Sequence, residues 1–358
     1  MEYSELLEIP PYSLKRDEKR NLLLERLIEL TGNHYENCEE YHRILDVLDK
    51  QTDQYDQLED IPFVPVRIFK DMELKSVSSE AVFKTMTSSG TTGQKVSKIF
   101  LDRTTSSNQQ KTLIKIVKDF LGADRVPMLI IDSPDVVKDR KMFSARGAGI
   151  LGFSIFASER QYALKSDMSI DYEGVRNFLD KHKGKPIFLF GFTFMIWQHF
   201  YREIEKNPGM FDLSQGILIH GGGWKKLQNE AVDRETFHRE LNRVCGLQNV
   251  YDYYGMVEQT GCVYMECEHG HLHASIFSDV IIRRGKNFSV CDVGEEGIIQ
   301  VLSAIPESYP GHSILTEDQG IILGEDDCPC GRLGKYFKIT GRIKNAEVRG
   351  CSDTYEQK

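Results

Sequence analysis

A loop rich in small, hydroxylated residues ends in a lysine at residues 87–95, which read TSSGTTGQK. Its two glycines permit backbone conformations that other residues rarely adopt, so successive amide N–H groups can converge on one anion. The Ser and Thr hydroxyls add hydrogen-bond donors, and Lys95 adds a compact positive charge. The spacing differs from the Walker A pattern, GxxxxGK followed by Ser or Thr. The segment predicts a phosphate-binding loop, and a solvated Ser/Thr/Gly turn is the simpler alternative.

Cysteines and histidines in two separate segments form a second group of candidate ligands. Residues 262–273 contain two cysteines and three histidines, and residues 328–332 read CPCGR. Thiolates and imidazoles at such spacings suit a tetrahedral zinc ion. His269 or His271 can replace His273 in the ligand set, and a cluster of unliganded thiols and exposed imidazoles is the alternative. The preferred ligands are Cys267, His273, Cys328 and Cys330.

Two later segments carry further candidates. Residues 220–225 (HGGGWK) follow the apolar run GILI, and their glycines allow a flat ring or an acyl chain to approach the backbone. Residues 251–258 (YDYYGMVE) end in Glu258, a carboxylate of the kind that Mg²⁺ prefers as a ligand. Taken singly, the first segment is also typical of a strand-to-helix turn, and Glu258 of a surface acid. Neither segment identifies a function by itself.

Several segments resemble, in the same order, motifs of the adenylate-forming superfamily of acyl-CoA synthetases and luciferases. Residues 88–95 are similar to its phosphate loop, (S/T)SG(S/T)TGxPK, without the proline. Residues 254–258 are similar to YGxTE, with valine in place of threonine. Residues 316–320 are similar to the TGD segment, with Glu317 where glycine is usual. Residues 340–344 resemble the hinge that precedes the mobile C-terminal domain.

The resemblance implies a role for each motif in binding ATP and Mg²⁺. Tyr254 would lie along the adenine, Asp318 would bind the ribose hydroxyls, and Arg342 would lie near the ribose or a phosphate. Glu258 would hold Mg²⁺ between the phosphates. Residues 220–225 would correspond to a GGE-like turn at the nucleotide and acyl pocket. The residues implied in nucleotide binding are Ser88, Ser89, Gly90, Thr91, Thr92, Gly93, Gly221, Gly222, Gly223, Tyr253, Tyr254, Gly255, Asp318 and Arg342.

Over essentially its full length the chain is similar to the LuxE family of acyl-protein synthetases. Members of that family end shortly after the hinge and carry a cysteine near the terminus, here Cys351 in VRGCSD. The resemblance implies that a fatty acid or other carboxylic acid is adenylated and that the acyl group moves to the Cys351 thiol. It then passes to an acceptor protein such as an acyl reductase. A thiolate is a strong nucleophile, a thioester keeps the acyl group reactive, and Arg349 favours the thiolate.

The prediction is therefore an AMP-forming fatty-acid–protein ligase. The predicted cofactors are ATP, Mg²⁺ and a structural Zn²⁺, and the predicted catalytic residues are Cys351, Lys95 and Glu258. An acid–CoA ligase similar to the phenylacetate-CoA ligases, which carry a comparable Cys…His followed by CxCGR, is one alternative. A non-catalytic, zinc-stabilised scaffold that binds nucleotide is the other. Pyrophosphate release distinguishes the enzymes from the scaffold, and the acyl acceptor distinguishes the two enzymes.

The elements that would position these residues form an α/β fold. Leucine periodicity over residues 18–30 and the pattern at 39–48 predict helices. After residue 81, apolar runs at 127–132, 186–190 and 216–220 alternate with helical patterns, which favours a largely parallel sheet covered by helices. The helical patterns cover 106–120, 172–182 and 234–245, and short strand-like runs follow at 280–282, 297–302 and 320–323.

The predicted organisation is that of the adenylate-forming enzymes, with layered mixed sheets and helices in a large N-terminal domain. We expect a helical segment at 1–80, an α/β core at 81–275, a small β-rich subdomain at 276–340 and a truncated tail at 341–358. The usual C-terminal lid domain would then be nearly absent.

Composition and charge exclude several classes of function. With 40% hydrophobic and 28% charged residues, the chain is typical of a soluble globular protein. A net charge of −9 argues against general nucleic-acid binding, which requires clustered Lys and Arg. The N-terminus does not have the pattern of a signal peptide, and the apolar runs are too short to span a bilayer. Eight unevenly spread cysteines predict reduced thiols in the cytoplasm rather than disulfides.

Overall fold

The computed structural model describes residues 3–49, 55–88, 95–137 and 145–343. The chain forms two compact units. Of the described residues, the first unit contains those up to Asp119 and those from Gly255 to Ile343, and the second contains those from Phe120 to Tyr254. The domain boundaries predicted at residues 80, 275 and 340 stay a prediction.

The described residues contain α-helices of very different lengths. The helices are α1 (Tyr3–Leu6), α2 (Arg16–Asn37), α3 (Glu39–Val47), α4 (Ile68–Asp71), α5 (Arg103–Leu121), α6 (Ala145–Phe153), α7 (Tyr172–Lys181), α8 (Thr193–Met195), α9 (Arg202–Ile204) and α10 (Arg234–Cys245). A π-helical stretch, Ile196–Tyr201, joins α8 to α9. Short 3₁₀ turns lie at Leu58–Asp60, Ser79–Ala81, Pro134–Val137, Ser154–Phe156, Lys225–Glu230 and Val257–Gln259.

The strands divide between the two units. They are β1 (Val64–Pro65), β2 (Lys84–Thr87), β3 (Lys98–Leu101), β4 (Val126–Ile130), β5 (Ala157–Tyr162), β6 (Ile187–Phe192), β7 (Gly216–Gly221), β8 (Asn249–Tyr254), β9 (Tyr264–Glu266), β10 (Leu272–His273), β11 (Ser278–Arg283), β12 (Gly297–Ser303), β13 (Ser313–Glu325) and β14 (Lys335–Arg342).

The first unit contains an antiparallel sheet in the order β11-β12-β13-β14-β10-β9. The two-residue strand β1 adds to β13 in parallel, with Val64 opposite Ile314. Strands β2 and β3 form a separate hairpin in which Thr87 lies opposite Lys98. Strand-rich structure after residue 275 was predicted, and the antiparallel strands begin slightly earlier, at Tyr264.

The second unit contains a parallel sheet in the order β5-β4-β6-β7-β8. Every residue of β4 and β6 is buried, which explains why these strands appear in the sequence as unbroken apolar runs. From β4 the chain adds β5 on one side and β6 on the other. In doubly wound sheets of this order, ligands bind near the carboxyl ends of the strands, where the strand order reverses. Asp132, Thr193 and Gly222 follow three of those ends.

Helix α10 shows how local chemistry sets the bounds of an element. The Asp233 carboxylate accepts a hydrogen bond from the Thr236 N–H at 2.7 Å, which caps the first turn. Gly246 ends the helix in the left-handed conformation, with φ of 75°. One face of the helix buries Phe237, Leu241 and Val244. The helix therefore lies at 234–245, as predicted.

Helix α2 is longer than its predicted extent of 18–30, since it runs on to Asn37. Its buried face contains Leu23, Leu27 and Leu30, all at most 1% exposed. The same face also buries polar residues, namely Lys19, Arg26, Thr31 and His34. Among the described residues, the helices lack the combination of length and apolar content that would let one of them cross a membrane.

Candidate functional site

The strand before the predicted phosphate loop and the strand after it pair as a hairpin. Ser88 closes the pairing, because its N–H donates to Ser97 O at 3.1 Å and its hydroxyl accepts the Ser97 N–H at 2.9 Å. Lys95, at the other end of the loop, is exposed, and its Nζ lies 3.2 Å from Asp71 Oδ1. Residues 89–94, which include Ser89, Gly90, Thr91, Thr92 and Gly93, lie outside the described residues. The two described ends of the loop are thus held at one end of a β-hairpin.

Glu258 lies in the turn Val257–Gln259 and is 1% exposed. Within the described part of the chain, its Oε2 has no hydrogen-bond partner. Gln259 supports the turn, because its Nε2 donates to Val301 O at 3.2 Å and to Gly311 O at 2.9 Å. A buried carboxylate oxygen without a donor is unfavourable unless a cation compensates it, so this residue fits a Mg²⁺ ligand.

A glycine brings this turn against helix α5. Gly261 has φ of 94°, and a Cβ there would lie 2.7 Å from Gln109 Cα. Any other residue would be strained and would push the turn away from the helix. The close approach fixes the segment that carries Glu258.

Asp318, predicted at the ribose, and Arg342, predicted near the ribose or a phosphate, are neighbours on β13 and β14. They lie opposite each other in the strand pairing, and Arg342 Nε donates to Asp318 Oδ1 at 3.1 Å. Thr316 Oγ1 accepts the Asp318 N–H at 3.1 Å and donates to Ile299 O at 2.8 Å, which fixes the backbone before Asp318. The structure therefore brings these two residues together, and their role in binding nucleotide stays a prediction.

The glycine turn after β7 is packed against the protein's own aromatic rings. A Cβ on Gly221 would lie 2.7 Å from Tyr253 Cε1, and one on Gly222 would lie 2.5 Å from Phe192 Cδ1. The turn also needs a positive φ at Gly222, of 80°, and at Gly223. The sequence predicts that glycines here let a flat ring or an acyl chain approach the backbone, and in the structure the rings of Phe192 and Tyr253 lie against them. Phe192 was not among the predicted site residues.

His220, just before this turn, was not among the predicted site residues. Thr193 Oγ1 donates to Gly221 O at 3.2 Å, so it accepts the Nδ1–H of His220 at 3.0 Å. The Nε2 atom then carries a buried lone pair, and among the described residues it has no hydrogen-bond partner. Burial, and then the nearby His238 and Arg234, lower the pKa of His220 to about 3. The histidine is therefore neutral, with a fixed tautomer, and its position directly before three glycines was the available signal.

The four predicted zinc ligands lie together in the first unit. The candidate ligand atoms of Cys267, His273, Cys328 and Cys330 are all within 4.8 Å of one another. The Sγ atoms of Cys267 and Cys328 are 3.9 Å apart, and Cys330 Sγ is 3.3 Å from His273 Nε2. Two sulfur ligands of a tetrahedral zinc, each about 2.3 Å from the ion, would lie about 3.8 Å apart. The set fits a closed metal site.

The supporting contacts distinguish the three histidines of this segment. His271 Nδ1 lies 3.3 Å from Cys328 Sγ, beside the cluster of four, and the Tyr336 ring stacks against both His271 and His273. His269 is not a member of the cluster. The geometry therefore favours His273 as the fourth ligand, with His271 next to the site.

The predicted nucleophile, Cys351, and the hinge residue Lys344 lie outside the described residues. Each of the other seven cysteines is a free thiol. Cys262 and Cys245 are buried, and burial raises the pKa of each thiol to about 12, which makes them poor nucleophiles. Cys291 is partly exposed.

The fold is similar to that of a solved CoA ligase. The chain superposes on 2-hydroxyisobutyryl-CoA ligase, solved with 2-HIB-AMP and CoA, with a TM-score of 0.67 and 17% identity. The match covers 90% of this chain and 74% of that one. The same enzyme in its postadenylation state gives a TM-score of 0.69 at 16% identity over 92% of this chain and 69% of that one. The predicted fold class, that of adenylate-forming ligases, is confirmed.

The chain belongs to the acyl-protein synthetase family, LuxE, whose family model matches residues 3–358. Two curated relatives are named long-chain-fatty-acid–luciferin-component ligase. The one from Vibrio harveyi is 25% identical over 335 residues, which is 90% of this chain and 84% of the relative. The one from Aliivibrio fischeri is 25% identical over 328 residues, which is 89% of this chain and 84% of the relative. The predicted family is confirmed.

Proposed function

We propose that this protein activates a long-chain fatty acid with ATP and carries the acyl group on Cys351 before it passes to an acceptor protein. The observation that supports this most is the buried Glu258 carboxylate, whose Oε2 has no hydrogen-bond partner among the residues described. A buried carboxylate is strongly unfavourable unless a cation or several donors compensate it. In a chain of the LuxE family, ATP-bound Mg²⁺ is the cation that fits.

In the first half-reaction, a carboxylate oxygen of the fatty acid attacks the α-phosphorus of ATP. The bond from that phosphorus to the bridging oxygen breaks, so pyrophosphate leaves and an acyl-adenylate remains. Asp318 would accept hydrogen bonds from the ribose hydroxyls, and Arg342 would donate to the ribose or the α-phosphate. Lys95 would leave its ion pair with Asp71 and bind a phosphate oxygen instead. Mg²⁺ on Glu258 would neutralise phosphate charge, and the protein contributes positioning and electrostatic stabilisation.

In the second half-reaction, the Cys351 thiolate attacks the acyl carbonyl carbon. The bond from this carbon to the adenylate oxygen breaks, AMP leaves, and the thiol proton goes to solvent. The thioester keeps the acyl group activated for a nucleophile on the acceptor. The names of the Vibrio and Aliivibrio relatives support a long-chain fatty acid as substrate. A reductase-like acceptor follows from the family resemblance.

A structural Zn²⁺ is the second part of the proposal. The cluster of three cysteines and one histidine offers four ligands and therefore a closed site, which is typical of structural rather than catalytic zinc. It would tie the loop between β13 and β14, which carries Cys328 and Cys330, to the β9–β10 hairpin. Because the reaction consumes ATP and needs a reduced thiol, we also propose a cytoplasmic location.

Acid-dependent exchange of labelled pyrophosphate into ATP tests the adenylation step. The expected result is exchange with tetradecanoic acid and Mg²⁺, without CoA, and weaker exchange with short acids such as butanoate. Exchange distinguishes an adenylating enzyme from a scaffold, because it requires the acyl-adenylate. An acyl thioester that forms on the protein itself without CoA then distinguishes the acyl-protein synthetase from a CoA ligase.

Two other outcomes would contradict the proposal. If exchange occurred but the acyl group left the adenylate only when CoA was added, with no acyl adduct on the protein, the protein would be an acid–CoA ligase. If ATP were bound but no acid of a broad panel supported exchange, the protein would be a nucleotide-binding scaffold.

A further inference from the structure

A buried carboxylate next to Asp318 holds two arginines. The Glu317 side chain is 8% exposed, and its Oε2 accepts a hydrogen bond from Arg342 Nη2 at 2.9 Å. Its Oε1 lies 3.2 Å from Arg67 Nε. The backbone of the same residue is also engaged, because its carbonyl accepts the Ile343 N–H at 3.0 Å. Glu317 therefore has three contacts, two of them with guanidinium groups.

The strand pairing explains why Arg67 reaches Glu317. Strand β1 runs parallel to β13, with Pro65 opposite Leu315, and Val66 N–H continues the pairing by donating to Leu315 O at 2.9 Å. Two residues further along each strand, this register places Arg67 beside Glu317. The contact is thus a product of the sheet register, and it brings together side chains that are far apart in the sequence.

The charges of this cluster balance. Glu317 and Asp318 carry two negative charges, and Arg67 and Arg342 carry two positive charges. Charge-assisted hydrogen bonds of this kind are short and directional, and they hold a guanidinium in one plane. Arg342 is 31% exposed and is held from two sides, with Nη2 on Glu317 and Nε on Asp318.

We propose that Glu317 is a positioning residue for nucleotide binding, which orients the Arg342 guanidinium through a buried ion pair. The inference rests on the proposed assignment of Arg342 to the ribose or phosphate. The carboxylate stands where the related motif usually has glycine, so this chain has added a charged partner that fixes the arginine before the nucleotide arrives. Because the guanidinium is already oriented, nucleotide binding loses less conformational entropy.

Direct binding of AMP, measured by calorimetry, tests the inference without needing an acid substrate. Glu317→Gln keeps the size of the side chain and removes its charge, and it should weaken AMP binding about 5- to 10-fold. Glu59→Gln is the matched control, because Glu59 also pairs with an arginine, Arg20, at 2.6 Å and is only 18% exposed. The control should leave AMP binding unchanged.

A double-mutant cycle separates positioning from general support of the fold. In an Arg342→Ala background, the Glu317→Gln change should alter AMP affinity less than about twofold, because the residue through which it acts is gone. If Glu317→Gln does not fold, Glu317→Gly replaces it and carries the same expectation, since glycine leaves no buried polar group.

Normal AMP affinity of the charge-removing variant, or an equal loss of affinity in both backgrounds, would overturn the inference. AMP binding by the wild-type protein without acid-dependent exchange would contradict only the proposed function. No AMP binding by the wild-type protein would contradict both.

Discussion

The Tyr309 hydroxyl donates a hydrogen bond to the backbone carbonyl of Glu258 at 2.8 Å. Tyr309 is fully buried in the segment between β12 and β13, so the turn that carries the proposed Mg²⁺ ligand is tied to the β-rich sheet. The neighbouring Gln259 bonds to the same region through Gly311 O. The position of the Glu258 carboxylate therefore depends on contacts that do not involve its own side chain.

Removal of this hydroxyl should affect both stability and the adenylation step. Tyr309→Phe leaves a buried carbonyl without its partner, and the free energy of unfolding should fall by about 1–2 kcal/mol. The rate of pyrophosphate exchange should also fall, because the Glu258 turn is less well fixed. Urea unfolding and the exchange assay measure the two effects.

Tyr264→Phe is the control for that variant. Its hydroxyl is also buried and donates to a backbone carbonyl, that of Asp279, at 3.1 Å. Tyr264→Phe should lower the free energy of unfolding by a similar amount and leave the rate of pyrophosphate exchange unchanged. Equal loss of exchange in both variants would show that the Tyr309 bond has no special role at Glu258.

Replacement of the carboxylate itself should affect chemistry and leave the fold intact. Glu258→Gln removes the charge that would hold Mg²⁺, and pyrophosphate exchange should fall by about 100-fold or more. AMP needs no metal for binding, so its affinity should stay within about twofold, as should be seen by calorimetry. If Glu258→Gln exchanged pyrophosphate at the wild-type rate, Glu258 would not be a Mg²⁺ ligand.

Metal analysis of the purified protein tests the cysteine–histidine cluster. Wild type should contain one equivalent of zinc, and Cys328→Ser should contain little and should unfold at a lower temperature, because a structural zinc contributes to folding. His269→Ala should retain the metal, since His269 is outside the cluster. A metal-free wild type, prepared without chelators, would mean that the thiols are unliganded.

Stability should fall in mild acid because of buried histidines. His312 is 1% exposed, with Nε2 3.1 Å from Thr31 Oγ1, and its ring lies 5.0 Å from that of His34. Burial lowers the pKa of His312 to about 3, helped by the charge of Arg26, and the pKa of His34 is also lowered, by burial and by His312. Both residues are therefore neutral in the folded protein at neutral and mildly acidic pH.

The sign of the effect follows from proton binding. Above pH 7 these histidines are neutral in both states and contribute no pH dependence. Below the unfolded pKa of about 6.5, only the unfolded chain takes up the proton, so the free energy of unfolding should fall by about 2 kcal/mol at pH 5 for His312. Urea unfolding at pH 7.5 and pH 5 measures the loss, and His312→Gln should reduce it. An unchanged free energy at pH 5 would contradict the assignment.

Helices and strands whose bounds are set by their own residues or immediate neighbours were predictable from the sequence. Helix α10 has its own caps, at Asp233 and Gly246, and strands β6 and β7 are apolar runs of strand length. The grouping of the four candidate zinc ligands was predictable for a different reason, because thiols and imidazoles are uncommon and their spacing carries the information. The resemblance to known motifs predicted Asp318 at the ribose and Arg342 near the ribose or a phosphate, and the two are neighbours in the structure.

Features whose cause is distant in the sequence were not predictable. Helix α2 continues past residue 30 because Thr31 and His34 are buried, and their partners His312 and Pro306 come from the other end of the chain. The contact between Arg67 and Glu317 depends on the register of β1 with β13. The ring of Phe192 against Gly222 depends on how β6 and β7 pair.

The most direct test of the central claim is the intact mass of the protein after incubation with ATP, Mg²⁺ and tetradecanoic acid. The account predicts one hydroxylamine-sensitive acyl adduct on the wild type and on Cys291→Ser, which removes a partly exposed thiol, and none on Cys351→Ser. An adduct that persists in Cys351→Ser, or the absence of an adduct on a wild type that catalyses pyrophosphate exchange, would contradict it.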